Sequence, residues 1–278
     1  MKRRRKNFSF FPKSARGSDL VQKLERLKQL FQKMGSVLVT FSGGADSAFL
    51  AKVAADTLGD RAAALTVVSP SLPAAELEEA KRLAAQIGIR HLLIESKELD
   101  DPRYAGNPVN RCYFCKTELF SLARRASDSQ GIRWVVDGTH ADDLKEPRPG
   151  RQAAKEWEVR SPLVEAGFTK EEIRQQSRLL GLPTWDKPAM ACLASRLPTG
   201  TAVTVERLSQ VEACELSLKR LGFRQLRARY EKEGVRLELE PASIGRLGDP
   251  PLEAEISGVC RQAGFRRVFV DLAGYGRR

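Results

Sequence analysis

The sequence predicts an α/β fold: a parallel sheet with helices on both faces, followed by a second, smaller α+β domain. Three observations carry that prediction. Short aliphatic runs at 37–41, 62–68, 90–95 and 134–137 alternate with helix-length segments, the grammar of strands joined by crossover helices. The first run, Val37-Leu38-Val39-Thr40-Phe41, breaks at once into Ser42-Gly43-Gly44-Ala45-Asp46-Ser47 and then into helix-forming sequence. From Thr204 the order changes to helix, paired strands, helix and strand.

Size and composition suit such a chain. With 278 residues it can hold one large and one smaller core. Its 42% hydrophobic and 29% charged residues are those of a globular protein, and no apolar run approaches the roughly twenty residues of a bilayer span. The start, MKRRRKNFSFF, lacks the apolar stretch of a secretory signal, so a cytoplasmic location is expected. Net charge is +12, but residues 1–18 hold seven basic residues and no acid, leaving +5 for the other 260. That pattern reads as a disordered basic tail, and nucleic acid is not the expected partner. The five cysteines, an odd number, argue for free thiols over a disulfide framework.

In chain order, 19–34 places Leu20, Leu24, Leu27, Leu30 and Phe31 at helical spacing. The strand at 37–41 and the glycine turn follow, then a helix. The strand at 62–68 leads through Ser69-Pro70-Ser71-Leu72-Pro73 into a helix reaching about Ile87. The strand at 90–95 precedes a helix over 113–127 and a strand at 134–137, which runs into Gly138-Thr139-His140-Ala141-Asp142-Asp143. Residues 144–157, polar with two prolines, read as a mobile surface loop. Thr169 with Glu172 three residues on is a capping-box signature, and Gly181 stops that helix. Residues 182–200 carry three prolines and no period, which inside a compact enzyme suggests an active-site segment. The remainder predicts a helix from 204 to about 221, strands at 225–230 and 235–240, a helix at 253–263 and a strand at 267–272. The domain boundaries expected are 1–18 for the tail, 19–200 for the sheet domain and 201–278 for the smaller one.

Ligands of parallel sheets bind where the strands end, and Ser42–Ser47, the turn after Val68 and Gly138-Thr139 all lie at that edge. The glycines of Ser42–Ser47 let backbone amides crowd round an anion, and the following helix turns its positive end to the same place. Ser42 and Ser47 add hydroxyls, and Asp46 can hold magnesium against phosphates. The loop lacks the Gly-Lys-Ser/Thr ending of a Walker A loop and the spacing of a dinucleotide fingerprint.

Among the cysteines, Cys112 and Cys115 form C-Y-F-C, which by itself fits a metal half-site, a redox pair or coincidence. Two histidines and no second C-x-x-C argue against a four-ligand zinc site. Three cysteines leaving one iron open would suit a [4Fe–4S] cluster with an exogenous ligand. Cys214 and Cys260 sit in partly apolar helical contexts and are expected in a core. Cys192 lies in the irregular segment near Lys187 and Arg196, whose charges are expected to favour a thiolate.

Taken together, S-G-G-A-D-S at 42–47, N-R-C-Y-F-C-K at 110–116, D-G-T-H-A-D-D at 137–143, R-S-P-L at 160–163, P-A-M-A-C-L-A-S-R at 188–196, R-A-R-Y at 227–230 and F-V-D-L-A-G-Y at 269–275 resemble the LarE family. These are ATP-dependent sacrificial sulfur transferases of the PP-loop, or N-type ATP pyrophosphatase, superfamily, and the resemblance spans about 20–276. It implies an adenine nucleotide alpha hydrolase-like first domain and a homo-oligomer. The implied substrate is a small-molecule nucleotide, pyridinium-3,5-biscarboxylic acid mononucleotide, converted on the way to the nickel-pincer cofactor of lactate racemase-type enzymes. ATP with Mg2+ would adenylylate a ring carboxylate, and a cysteine would displace AMP.

Residue by residue, the resemblance implies that Cys192 is the sulfur-donating catalytic residue. Ser42, Gly43, Gly44, Asp46, Ser47, Lys116, Gly138, Thr139 and Arg160 would bind ATP, with Asp46 and Asp142 on the metal. Ser195, Arg196, Arg227 and Arg229 would hold the substrate phosphate, since paired arginines grip phosphate by forked hydrogen bonds. Glu215 and Glu238 would face the same cavity. A branch of the family carries a cluster on three cysteines, and Cys112, Cys115 and Cys192 match it; sacrificial cysteine and cluster-bound sulfide both stand as sulfur sources. Rival readings are a tRNA-thiolating enzyme on the same scaffold, an ammonia-using amidotransferase or synthetase, and a non-catalytic nucleotide-binding module.

Overall fold

The computed structural model describes residues 15–145, 149–189 and 191–276. The basic residues of the expected tail from Lys2 to Lys13 lie outside them. Helix α1 runs Ala15–Met34 and so begins inside the stretch assigned to that tail. Strand β1 (Val37–Thr40), helix α2 (Ala45–Leu58), strand β2 (Ala62–Val68), helix α3 (Ala74–Ile87) and strand β3 (Arg90–Glu95) follow in strict alternation. A short helix α4 (Pro102–Ala105), the long helix α5 (Arg111–Ser129) and strand β4 (Trp134–Val136) complete the first sheet.

That sheet is parallel throughout, in the order β3-β2-β1-β4. Period-two alternation sends its side chains to two cores. Val37, Val39, Ala62, Ala64 and Val136 face one with Leu27, Phe31, Phe49 and Leu83. Leu38, Ala63, Leu65 and Val135 face the other with Ala123 and Ala126 of α5. Helices therefore cover both faces, as a parallel sheet requires.

The segment expected as a mobile loop is in part a helix: α6 spans Pro149–Glu156 and buries Ala153 and Ala154 against Phe120 of α5. Its apolar stripe is only these two alanines, too little for a periodicity reading to separate from a loop. Helices α7 (Pro162–Ala166) and α8 (Lys170–Leu179) come next, and the capping box of Thr169 and Glu172 is present. The expected N-terminal extent of α5 is also corrected: it starts at Arg111, so Cys112 and Cys115 both lie in its opening turns.

The C-terminal part holds helix α9 (Val205–Arg220), the antiparallel hairpin β5 (Leu226–Glu231) and β6 (Gly234–Leu239), helix α10 (Pro241–Ile244), helix α11 (Pro250–Gln262) and β7 (Arg267–Val270), which pairs parallel with β6. Its core gathers Leu208, Val211, Leu218, Phe223, Ala228, Val235, Leu237 and Ile256. Leu193, Ala194 and Leu197 from the irregular segment insert into this same core. Leu193 also donates its amide to the carbonyl of Ser71 at 2.8 Å, after the end of β2. The stretch around Cys192 is thus pinned at the seam between the two cores.

Candidate functional site

Where β1, β2 and β4 end, the chain encloses a cleft of about 330 Å³ lined by Ser42, Gly44, Asp46, Ser47, Thr66, Lys116, Gly138, Thr139 and Asp143, among others. Its rim is the glycine loop. Gly43 has φ +71°, which favours glycine, and a Cβ there would stand 3.0 Å from that of Ala80 on α3. No side chain caps the start of α2 at Gly44, which leaves first-turn amides for an anion. The loop holds its own shape: Ser42 N–H donates to Ser47 Oγ at 3.3 Å, and Ser47 Oγ donates to the Gly44 carbonyl at 3.2 Å. Across the cleft, a Cβ on Gly138 would lie 3.1 Å from the amide of Ser47 and 3.3 Å from Asp46, so only glycine leaves this cradle open. Asp137 orients the turn, accepting from the Thr139 hydroxyl at 2.7 Å and the Ser161 hydroxyl at 2.7 Å.

The carboxylate of Asp46 receives Lys170 Nζ on both oxygens, at 2.6 and 2.7 Å, from the first residue of α8. His140 Nε2 stands 3.9 Å from Asp46 and 3.5 Å from Asp143. Asp142 has a different place from the one expected. Its side chain accepts from Lys145 at 2.7 Å and from the Lys170 amide at 2.8 Å, and the Lys145 bond holds its carboxyl below the usual range. Asp143, not Asp142, lines the cleft. Arg160 does not line it either: its guanidinium is engaged by Glu165 and lies 5.1 Å over the Trp134 ring. Gly43 shapes the loop from behind, against α3. Sequence reasoning missed Lys170, Asp143 and the pair Gly150 and Arg151, which α6 brings to the rim. A Cβ on Gly150 would come 2.9 Å from Lys116 Cγ, so this helix presses directly on a residue of the site.

A second cleft, about 450 Å³, opens on the other side of the start of α5, between Asn107–Cys112, Ser195–Thr199 and the β5–β6 hairpin. Cys112 lines it, and Lys116, one helical turn along α5, lines the first cleft. Of the expected phosphate ligands it brings together Ser195, Arg196 and Arg229, joined by Arg111 and Arg236. Arg227 is excluded; it stacks 4.8 Å from the Tyr275 ring.

Most of these guanidiniums already have counterions. Arg196, 3% exposed, donates to both oxygens of Glu215 at 2.8 and 3.1 Å, and to the carbonyls of Ala191 and Cys192. Arg229 is held by both oxygens of Glu238, at 2.9 and 3.0 Å, and donates to the Ser195 carbonyl. Glu215 and Glu238 therefore act as buried anchors for two of the arginines.

The cysteines divide as expected in part. Cys214 and Cys260 are buried in the C-terminal core with sulfurs 3.4 Å apart. Cys112 and Cys192 are exposed residues and Cys115 half-buried. Desolvation raises the Cys192 thiol above its ordinary value, opposed chiefly by the charge of Arg111. The cations expected to favour a thiolate are elsewhere: Arg196 is bound to Glu215, and Lys187 to Glu76 and Glu79. Burial pushes the Cys115 thiol well up, with the Glu98 carboxylate adding to it. Among the described residues, however, no three His, Cys, Asp or Glu side chains are gathered closely enough to hold a metal ion.

Comparison with known proteins adds the context for this geometry. The NAD synthase family model matches residues 20–104, the part that contains the glycine loop. An uncharacterized protein of Synechocystis sp. is 47% identical over 256 residues, covering 92% of this chain and 96% of its own length. The pyridinium-3,5-bisthiocarboxylic acid mononucleotide synthase of Lactiplantibacillus plantarum is 32% identical over 257 residues, 92% of each chain. The chain belongs to the LarE family. It is an ATP-using enzyme of the PP-loop type, and the LarE likeness runs through both cores, including the segment of Cys192. GMP synthase of Chlamydia caviae is similar over a shorter stretch, 25% identical over 183 residues, 58% of this chain and 35% of that protein. Among the described residues no helix is long and apolar enough to cross a membrane.

Proposed function

We propose that this LarE-family enzyme adenylylates the carboxylates of pyridinium-3,5-biscarboxylic acid mononucleotide and converts them to thiocarboxylates, each chain giving up one sulfur from Cys192 to one carboxylate. The observation that carries the reading is that Cys192 adjoins the wall of the second cleft, its carbonyl accepting from Arg196 and its thiol feeling the charge of Arg111, both of which line that cleft, while α5 runs from there to the glycine-loop cleft.

ATP phosphates rest on the amides of Ser42–Ser47, with Lys116 and Thr139 facing them. Asp46 and Asp143 would hold magnesium, since two carboxylates plus phosphate oxygens suit that ion, which would neutralise phosphate charge. Lys170 must release Asp46 for this to happen. A substrate carboxylate oxygen attacks the α-phosphorus and pyrophosphate leaves. The Cys192 sulfur then attacks the acyl carbon, AMP departs with the bonding pair, and a thioester forms. Loss of the Cys192 α-proton with cleavage of the Cβ–S bond leaves dehydroalanine and a thiocarboxylate. Arg111 favours the thiolate, and Arg111 and Ser195 offer the substrate phosphate donors at the cleft wall, where Arg236 is already engaged by Glu231, Glu238 and Asp271. The C-terminal core serves as the substrate-binding domain.

A [4Fe–4S] cluster on Cys112, Cys115 and Cys192 is the other sulfur source the family allows. The ligand set is not gathered for it among the described residues, so no step is routed through it. The test is intact-mass analysis after a single turnover with ATP and substrate. A chain lighter by the mass of one hydrogen sulfide at Cys192 is expected, and Cys192→Ala should release pyrophosphate yet transfer no sulfur. Unchanged mass in a protein carrying about four irons would overturn the sacrificial route, and sulfur transfer by Cys192→Ala would overturn the role of the residue.

A further inference from the structure

Lys187 sits in the irregular segment, five residues before Cys192, yet its charge is spent on the nucleotide loop's side of the molecule. Its Nζ donates to Glu76 at 2.7 Å, pairs with Glu79 at 3.0 Å and reaches the Gly43 carbonyl at 3.4 Å. The side chain is only 12% exposed, and Glu76 15%. Lysine and glutamate are seldom buried to that degree unless paired, so the contact is a specific arrangement.

The surroundings give the pair a mechanical reading. Glu76 and Glu79 stand in the first turns of α3, and Ala80, just beyond, is the residue against which Gly43 packs. The same corner is tied to the main chain just after Cys192 by Leu193 N–H on the Ser71 carbonyl at 2.8 Å. It is tied to the C-terminal core by Glu212 of α9, which accepts from the Ala74 amide at 2.6 Å. Pro73 precedes α3 and no side chain of its own caps the helix, so Glu212 supplies the anion its N-terminus favours. One short stretch, 71–80, therefore touches the nucleotide loop, the cysteine segment and the second core.

We propose that Lys187 is a positioning residue that couples the state of the nucleotide loop to the placement of Cys192. A phosphate held on the loop shifts Gly43 and the acids that share Lys187. Because the residue after Cys192 is hydrogen-bonded to Ser71, just before α3, a change in the acids that share Lys187 reaches the main chain beside the sulfur. The inference rests on the assignment of Cys192 and the glycine loop to one reaction, but its test requires neither the pyridinium substrate nor sulfur transfer.

The test is the alkylation rate of Cys192 by iodoacetamide, read by peptide mass spectrometry on the full-length protein. It is measured with and without magnesium and α,β-methylene-ATP, which cannot release pyrophosphate. In the unsubstituted protein the analogue should change the rate by about fivefold or more, the low end of coupling between distinct sites. Lys187→Met should abolish that response while still binding the analogue, and Lys187→Arg should restore it in part. Circular dichroism melting of each variant separates lost coupling from lost folding. A nucleotide response that persists in a folded Lys187→Met protein overturns the proposal, as does an unsubstituted protein whose Cys192 is indifferent to the analogue. Failure of Cys192→Ala to block sulfur transfer would instead overturn the assigned reaction and leave this measurement standing.

Discussion

Replacing Arg196 with methionine should destabilise the C-terminal core by about 3–5 kcal/mol, the usual cost of leaving one member of a buried ion pair alone. The magnitude follows from the site. Arg196 and Glu215 are 3% and 8% exposed at their side chains, and two hydrogen bonds join them. Glu215 also accepts from the Ala228 amide at 3.0 Å, so it cannot swing out to solvent without breaking β5's attachment to α9. With a urea slope of about 3 kcal/mol/M, the midpoint should fall by roughly 1–1.7 M by far-ultraviolet circular dichroism. The double variant Arg196→Met/Glu215→Gln removes both charges and keeps an acceptor for Ala228, so it should regain most of the loss. It should not regain sulfur transfer, because the guanidinium contacts to the Ala191 and Cys192 carbonyls stay missing. A single-variant shift below about 0.3 M, or a double variant no more stable than the single, would refute the claim that this arginine is a structural counterion.

Gly138→Ala should leave folding nearly intact but weaken ATP binding at least tenfold, because its methyl group enters the cradle 3.1 Å from the Ser47 amide; equilibrium dialysis with labelled ATP measures this. In native protein, iodoacetamide should label Cys112 and Cys192 but spare Cys214 and Cys260 until urea is added, since the latter two are buried sulfur to sulfur. Desolvation holds the Cys192 thiol up and Arg111 opposes it, so its alkylation rate should still be rising above pH 9, and Arg111→Met should move that rise to higher pH. A rate that levels off near neutrality would contradict the desolvated environment.

Much of the fold is legible without coordinates, for a local reason. The run at 62–68 coincides with β2 because a buried parallel strand is marked by continuous aliphatic sequence, and 90–95 coincides with β3, an edge strand with no fully buried residue, because Leu92, Leu93 and Ile94 stand between polar ends. The capping box at Thr169 is legible for the same reason, both partners lying within one turn. Helix α6 is not: two alanines behind a proline do not make a periodic signal, and what holds it is contact with α5. The glycine loop is legible as an anion site, but Lys170, which covers Asp46, is 124 residues away and carries no motif that announces the pairing.

The amino-acid sequence alone determined the alternating framework, the glycine loop and the cysteine on which the proposed sulfur transfer rests. These depend on residues adjacent in the chain, whose backbone preferences and spacing act before anything else has folded. Only the tertiary structure decided which charges remain available. Arg196, Arg229, Lys187 and Arg160 all looked free to meet a ligand or a thiol, and each instead has a carboxylate partner. A cation's availability depends on what folding brings within about 3 Å of it. At that range, in a partly buried site, a fixed counterion outweighs every neighbour in the sequence.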